Sequence, residues 1–205
     1  GGKVLIYLYK KTGDERYRQA YRMLYEKQLA VQPRLDCGNF WHKSIYPYQI
    51  WLDGTYMALP FMAEYSLAED NPEIIDDVRA QLRNVSDIMR DPKTGLYYHG
   101  YDETRSMKWA DRETGLSREF WMRAMGWLCA ALADIYELSP DTETGQQLSQ
   151  LLDAISGWQD DSGMFLQLPA RKNMNGNYCE TSGTLLYAYS ALKASRLGVT
   201  GSDIR

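Results

Sequence analysis

The sequence predicts an all-α protein, a toroid or solenoid built from paired helices. Three observations carry this. Apolar residues recur at steps of three and four over about seven segments, which is the helical period. No stretch reads as a convincing strand ladder. Similar connecting loops also recur: Asp91-Pro92-Lys93-Thr94-Gly95-Leu96-Tyr97-Tyr98 resembles Asp160-Asp161-Ser162-Gly163-Met164-Phe165, each a tight turn leading into a short extended piece. Repeated hairpins with similar loops stack into a ring or superhelix, and a closed ring lines a central cleft with its inner helices.

The elements follow in order. The chain opens inside an apolar helical run, Val4-Leu5-Ile6-Tyr7-Leu8. Gly13 can end that helix and Asp14 cap the next, over about 14–30, with Tyr17, Tyr21, Leu24 and Gln28. An apolar segment then runs from about Tyr48 to Leu67, where Pro60 predicts a kink or a new helix start. Asn71-Pro72 reads as an N-cap followed by proline at the first helical position. Ile75, Val78, Leu82, Val85 and Met89 form an amphipathic stripe behind it. Ser117 is expected to cap a helix carrying Phe120, Trp127, Leu128, Ala131 and Ile135. A further helix spans 143–157, with Leu148, Leu151, Leu152 and Ile155. The last runs from about Tyr178 to Leu197 and stops at Gly198, with 198–205 as a loop. Both ends read as cut, so apolar faces are expected to be exposed at the first and last helices.

Composition narrows the function. The 205 residues are long enough to bury a sizeable core. The net charge is −4 with no Lys/Arg block, which argues against a nucleic-acid partner. No apolar run approaches the ~18–20 residues of a membrane span. Cys37, Cys129 and Cys179 are widely spaced with no CxxC pair, so they read as partly buried free thiols. Only two histidines are present, His42 and His99, which excludes a His-rich metal site. Asn84-Val85-Ser86 matches a glycosylation sequon but falls within a predicted helix and reads as chance. Sixteen tyrosines and six tryptophans against four phenylalanines favour wet clefts where flat apolar faces meet hydroxyls, as in carbohydrate binding, although such residues also pack ordinary cores.

Four stretches can carry chemistry. In the aromatic run from Phe40 to Gly54, Asp53 sits among Trp51, Leu52, Tyr56 and Met57. Desolvation there raises a carboxyl pKa, whereas a helix start lowers it. If desolvation wins, Asp53 can act as a general acid; otherwise it is a helix cap beside a turn residue, Gly54. Gly54 also lets a ligand approach the backbone. His99, within Tyr97-Tyr98-His99-Gly100-Tyr101, either presents an imidazole to a sugar hydroxyl or packs through a hydrogen bond. Phe120, Arg123 and Trp127 are spaced to share one helix face, where a guanidinium needs an anion: a substrate carboxylate or an internal aspartate. Glu180 and Ser182 at the last helix start read first as capping chemistry. No nucleophile elbow, P-loop, dinucleotide fingerprint or HExxH is present. The set suits acid/base chemistry on an acidic sugar and calls for no cofactor.

These motifs together resemble a known family. Phe40-Trp41-His42-Lys43 followed by Tyr46-Pro47, Gln49, Trp51-Leu52-Asp53-Gly54 and Tyr56-Met57 closely resembles the unsaturated rhamnogalacturonyl hydrolases, glycoside hydrolase family 105. Four more blocks agree in order: Gly95 to Asp102, Trp109-Ala110-Asp111, Gly115-Leu116-Ser117 running into Phe120 to Trp127, and Asn177 to Ser182. The resemblance implies an (α/α)6 barrel, a six-hairpin toroid, of which residues 1–205 form the central part with flanking hairpins missing. It implies removal of a 4,5-unsaturated galacturonyl residue from rhamnogalacturonan oligosaccharides by hydration of the C4–C5 double bond, not by the two-carboxylate route. Asp53 matches the catalytic aspartate; His99, Trp121, Arg123 and Trp127 match pocket positions, with Arg123 reading the uronate carboxylate and His42 and Lys43 near the rim or just behind the residues that touch the sugar. A second aspartate of the family, upstream of the Phe40 block, is not found in this sequence. The expected partner is an unsaturated uronyl oligosaccharide, with no metal, nucleic acid or membrane, and the expected compartment is the cytoplasm, with periplasm or secretion as alternatives. The competing readings are an unsaturated glucuronyl hydrolase, a non-catalytic carbohydrate-binding toroid and, on a similar barrel, a sugar epimerase.

Overall fold

A computed structural model describes residues 1–199. Among the described residues seven α-helices run in chain order: α1 (Gly2–Thr12), α2 (Glu15–Leu24), α3 (Leu52–Ala68), α4 (Pro72–Met89), α5 (Met122–Leu138), α6 (Thr142–Ser156) and α7 (Thr181–Arg196). The loop expected over 198–205 lies, from Thr200 onward, outside the described residues.

The helices pair as hairpins, α1 with α2, α3 with α4 and α5 with α6, and the first members pack on one another in the series α1, α3, α5, α7. Burial follows this layering. α5 lies between α3 and α7 and is buried over most of its length, including Met125, Leu128, Cys129 and Leu132. The outer helices bury one stripe: on α4 it is the predicted set Ile75, Val78, Leu82, Val85 and Met89, and on α6 Leu148, Leu151, Leu152 and Ile155. Fully burying each such side chain contributes about 1.5–3 kcal/mol, so the stripes and not local propensity hold the outer layer. Apolar faces are exposed on α1 (Val4, Tyr7) and α7 (Leu185, Tyr189, Leu192), as expected.

Most boundaries follow their sequence signals. Gly13 ends α1 with φ 68°, and the Asp14 carboxylate caps α2 by accepting from the Arg16 N–H. Gly198, with φ 71°, stands just past the α7 C-cap Leu197. Asn71 is the α4 N-cap with Pro72 at the first position, although its side chain makes no capping bond. Asn84 is tied to the Cys37 carbonyl and the Asn39 side chain, in keeping with a structural role. All three thiols are free.

Four expectations need correction. Pro60 does not divide its helix: α3 runs through it, and Leu59, Pro60 and Phe61 are all buried, so packing on both sides outweighs one lost backbone bond. Ser117 does not cap α5, which begins five residues later with Trp121 as N-cap; its hydroxyl instead accepts from the His99 backbone N–H and donates to the Glu119 carbonyl. Phe120 therefore lies outside the helix and packs on Tyr98 with ring centroids 4.6 Å apart. A short ribbon is also present: β1 (Gln49–Trp51) pairs antiparallel with β2 (Gly100–Asp102), Ile50 opposite Tyr101. Three residues per strand are too few for periodicity to reveal.

The repeated loop is real and occurs three times. Asp91, Asp111 and Asp160 each accept on the side chain from following N–H groups and a Thr or Ser hydroxyl. Each turn passes through a positive-φ glycine, Gly95, Gly115 or Gly163, that L side chains resist.

Candidate active site

The ribbon places two candidates together. β1 runs straight into α3, so Trp51 is both the last strand residue and the helix N-cap, and Asp53 falls in the first turn. β2 begins immediately after His99, and the Leu52 N–H donates to the His99 carbonyl at 3.2 Å. Asp53 and His99, 46 positions apart in sequence, are thus held on adjacent backbones.

Asp53 is not a helix cap. Trp51 holds that position without a side-chain bond, and Asp53 Oδ2 is buried with no hydrogen-bond partner among the described residues. Burial pushes the carboxyl above its ordinary value; its own backbone N–H and the charges of Arg123, His99 and Lys43 pull it back without cancelling the rise. Desolvation therefore prevails over the helix start, and the same balance puts three of the predicted residues within electrostatic reach of the carboxyl.

An aromatic wall runs from His42 to Trp121. Trp51 stacks on His42 (5.1 Å, 14°) and Tyr46 (5.7 Å, 23°), and meets His99 and Trp109 edge-on. Trp121 meets His99 edge-on at 6.0 Å. His99 is therefore framed by tryptophans rather than tyrosines, and its Nδ1 donates to the Glu119 carbonyl at 3.0 Å, which fixes the orientation of the ring. Trp127 faces Tyr56 across the α3–α5 contact. Lys43 is exposed and lies 5.9 Å from the Tyr46 ring.

Arg123, in the first turn of α5, lies over the Trp121 ring with its guanidinium carbon 4.4 Å from the centroid. Its internal anion is a glutamate, not an aspartate: Glu180 Oε1 is 3.8 Å from Arg123 Nη1. The Arg123 side chain remains 42% exposed, which leaves room for an external carboxylate to reach it.

His42 belongs behind this surface. Its Nδ1 is buried without a partner among the described residues, and burial, then the Lys43 charge, push its pKa down to about 4, so the ring is neutral. It borders a cavity of about 190 Å³ between α3, Leu29 and Gln81 of α4, which Asp53, His99 and Arg123 do not line. Among the described residues no group of three His, Cys, Asp or Glu side chains is arranged to hold a metal ion, and no helix is long and apolar enough to cross a membrane. The sequence underrated Glu180 and Trp109. Both stand in motifs it singled out, but their partners are 57 and 58 positions away, beyond any local pattern.

Comparison with known proteins shows the family. A family model described as Glycosyl Hydrolase Family 88 matches residues 1–204. "Protein Atu3128" of Agrobacterium fabrum is 38% identical over 147 residues, covering 70% of this chain and 63% of that protein. "Unsaturated rhamnogalacturonyl hydrolase YesR" of Bacillus subtilis is 29% identical over 174 residues, covering 80% of this chain and 48% of its own length. The solved structure of a family 105 glycoside hydrolase from C. acetobutylicum ATCC 824 superposes with a TM-score of 0.94 and 41% identity, covering 99% of this chain and 58% of that one. The chain thus spans less than two thirds of the length of these relatives.

Proposed function

The chain belongs to glycosyl hydrolase family 88, and from that premise we propose that it carries the site of an unsaturated uronyl hydrolase acting on rhamnogalacturonan fragments, within an (α/α)6 toroid whose remaining hairpins flank residues 1–205. The observation that carries the reading is Asp53: a half-buried carboxyl whose buried Oδ2 has no partner among the described residues, with a raised pKa, in the first turn of a helix and within reach of the charges of Arg123, His99 and Lys43. The similarity to a rhamnogalacturonyl hydrolase, at 29% identity, supports the substrate class.

The chemistry follows from that carboxyl. Protonated Asp53 delivers its proton to C4 of the 4,5-double bond. The π electrons form the new C4–H bond, and positive charge develops at C5 and the ring oxygen. The carboxylate then takes a proton from water as the water oxygen bonds to C5, which restores the acid. The hemiketal opens to a ketone, C1 becomes an aldehyde, and the leaving sugar departs with its oxygen. Arg123 holds the uronate carboxylate, Trp121 and Trp127 give faces to the sugar, and His99 Nε2 hydrogen-bonds a hydroxyl. His42 and Lys43 border the pocket, with Lys43 nearer solvent.

The test is loss of the ultraviolet absorbance of unsaturated galacturonyl-rhamnose on incubation with the full protein, set against Asp53→Asn. Loss abolished by the substitution supports the reading. Loss only with an unsaturated chondroitin disaccharide moves the substrate to glucuronyl sugars. Binding without loss by the unmutated protein overturns hydrolysis in favour of a sugar-binding toroid.

A further inference from the structure

The starts of α5 and α7 approach more closely than ordinary side chains permit, and two glycines allow it. A β-carbon on Gly126 of α5 would stand 2.9 Å from Leu186 Cβ and 3.2 Å from the Gly183 carbonyl. One on Gly183 of α7 would stand 2.9 Å from the Arg123 backbone nitrogen and 2.8 Å from Met122 Cγ. The loop between the helices is fastened at the same level: the Met122 N–H donates to the Gln167 carbonyl, and the Glu180 N–H to the Phe165 carbonyl.

That approach brings Glu180 to Arg123. Glu180 is 5% exposed, and its two oxygens are used differently. Oε2 accepts from the Gly183 N–H as the α7 cap. Oε1 accepts from the Ser182 hydroxyl at 2.6 Å and faces Arg123 Nη1. Capping needs one carboxylate oxygen only, and an amide would serve it equally well. The second oxygen and the negative charge are left to a guanidinium whose face is already fixed on Trp121.

We propose that Glu180 is the positioning residue for Arg123. It fixes one edge of the guanidinium while Trp121 fixes the face, so that the remaining N–H edge is preset for a sugar carboxylate. This rests on the reading of the site as a uronate site, and it assigns selectivity for the free acid over its ester to a residue that does not touch the sugar. Glu180→Gln keeps the cap and removes the charge; Ser182→Ala keeps the charge and releases Oε1.

The experiment compares KM and kcat of the full protein on unsaturated galacturonyl-rhamnose and on its methyl ester, for the unmutated form, Glu180→Gln, Ser182→Ala, Arg123→Lys and the Glu180→Gln/Arg123→Lys double variant. Glu180→Gln is expected to raise KM for the acid by about tenfold, with kcat within about twofold and the ester unaffected. Ser182→Ala, which tests the same link if Glu180→Gln fails to fold, is expected to raise it by about two- to threefold in the same direction. The double variant is expected to be no worse than Arg123→Lys. Equal losses on acid and ester, or additive effects in the double variant, overturn the proposal. If the unmutated protein turns over neither substrate, the hydrolase reading fails by itself. Galacturonate affinity, followed by tryptophan fluorescence in the same variants, then decides: weaker binding in Glu180→Gln supports the proposal, and unchanged binding, or none by the unmutated protein, overturns it.

Discussion

The His42 imidazole fills the space that a β-carbon on Gly54 would need, with Nδ1 2.7 Å from that position. Gly54 therefore admits a protein side chain, not a ligand, to the α3 backbone. Gly54→Ala forces His42 off its stack on Trp51, beside the Asp53 carboxyl. Overpacking of this kind costs about 1–3 kcal/mol, partly offset by the better helix propensity of alanine, about 1 kcal/mol. The expected outcome is a small loss in Tm with a larger loss in turnover, checked by thermal unfolding and by the ultraviolet assay on one preparation. A full-activity Gly54→Ala protein would show that the His42 stack does not shape the site.

Asp53 ties activity to pH. Its carboxyl is raised by burial, so the folded state binds a proton that the unfolded chain, with an ordinary value of about 3.9, releases sooner. The stability this adds is present below the ordinary carboxylate value and is lost as pH rises through the raised one. Asp53→Asn, which carries no charge at any pH, is expected to be inactive and yet to melt higher than the unmutated protein at neutral pH, the gap closing towards pH ~4. Turnover by the unmutated protein is expected to increase as pH falls through the raised value. Melting curves and initial rates across pH 4–8 check both, and an Asp53→Asn protein that melts lower at neutral pH contradicts the burial argument.

Helix number, most caps and the α4 and α6 stripes were legible because they depend on residues one to four positions apart. Pro60 misled because the rule against helix-interior proline is local, whereas the burial that keeps α3 whole comes from neighbouring helices. Ser117 misled for a related reason: its hydroxyl serves the backbone of His99, 18 positions away. In the site, the rise of the Asp53 carboxyl was legible from its apolar neighbours in sequence. The Glu180–Arg123 approach was not, since it depends on two glycines in different helices packing against each other.

His42 makes a contribution of opposite sign to that of Asp53. Its pKa is pushed down to about 4, first by burial and then by Lys43, so the folded protein refuses a proton that the unfolded chain accepts near pH 6.5. That contribution is complete above the ordinary histidine value and is lost as pH falls through about 4. His42→Gln is expected to flatten the acid side of the stability profile between these limits while lowering Tm at pH 7 through lost stacking. Urea midpoints at pH 7, 5.5 and 4.5 check this; parallel profiles for both proteins would place the acid sensitivity elsewhere.

The largest stability effect is expected far from the site, at Asp134. This α5 carboxylate is nearly buried and receives Lys193 of α7 at 2.7 Å, Lys3 of α1 at 2.8 Å and the Tyr189 hydroxyl at 2.5 Å. Burial alone would raise its pKa; the bonds from Lys193, Lys3 and Tyr189 outweigh it and hold the carboxyl below its ordinary value. The cluster joins three inner helices, α1, α5 and α7. Asp134→Asn leaves two ammonium groups facing a neutral amide, one of them on Lys193, which is 8% exposed. Breaking a buried pair from one side costs about 3–5 kcal/mol. Glu137, which also binds Lys193 at 2.5 Å, retains part of the compensation and puts the expected loss near the lower end, about 3 kcal/mol. Asp134→Asn/Lys193→Met removes the buried ammonium as well and is expected to recover part of that loss. Urea unfolding of the two single variants and the double variant checks the ordering. A double variant less stable than Asp134→Asn would mean that the pair contributes through its packing and not through its charge.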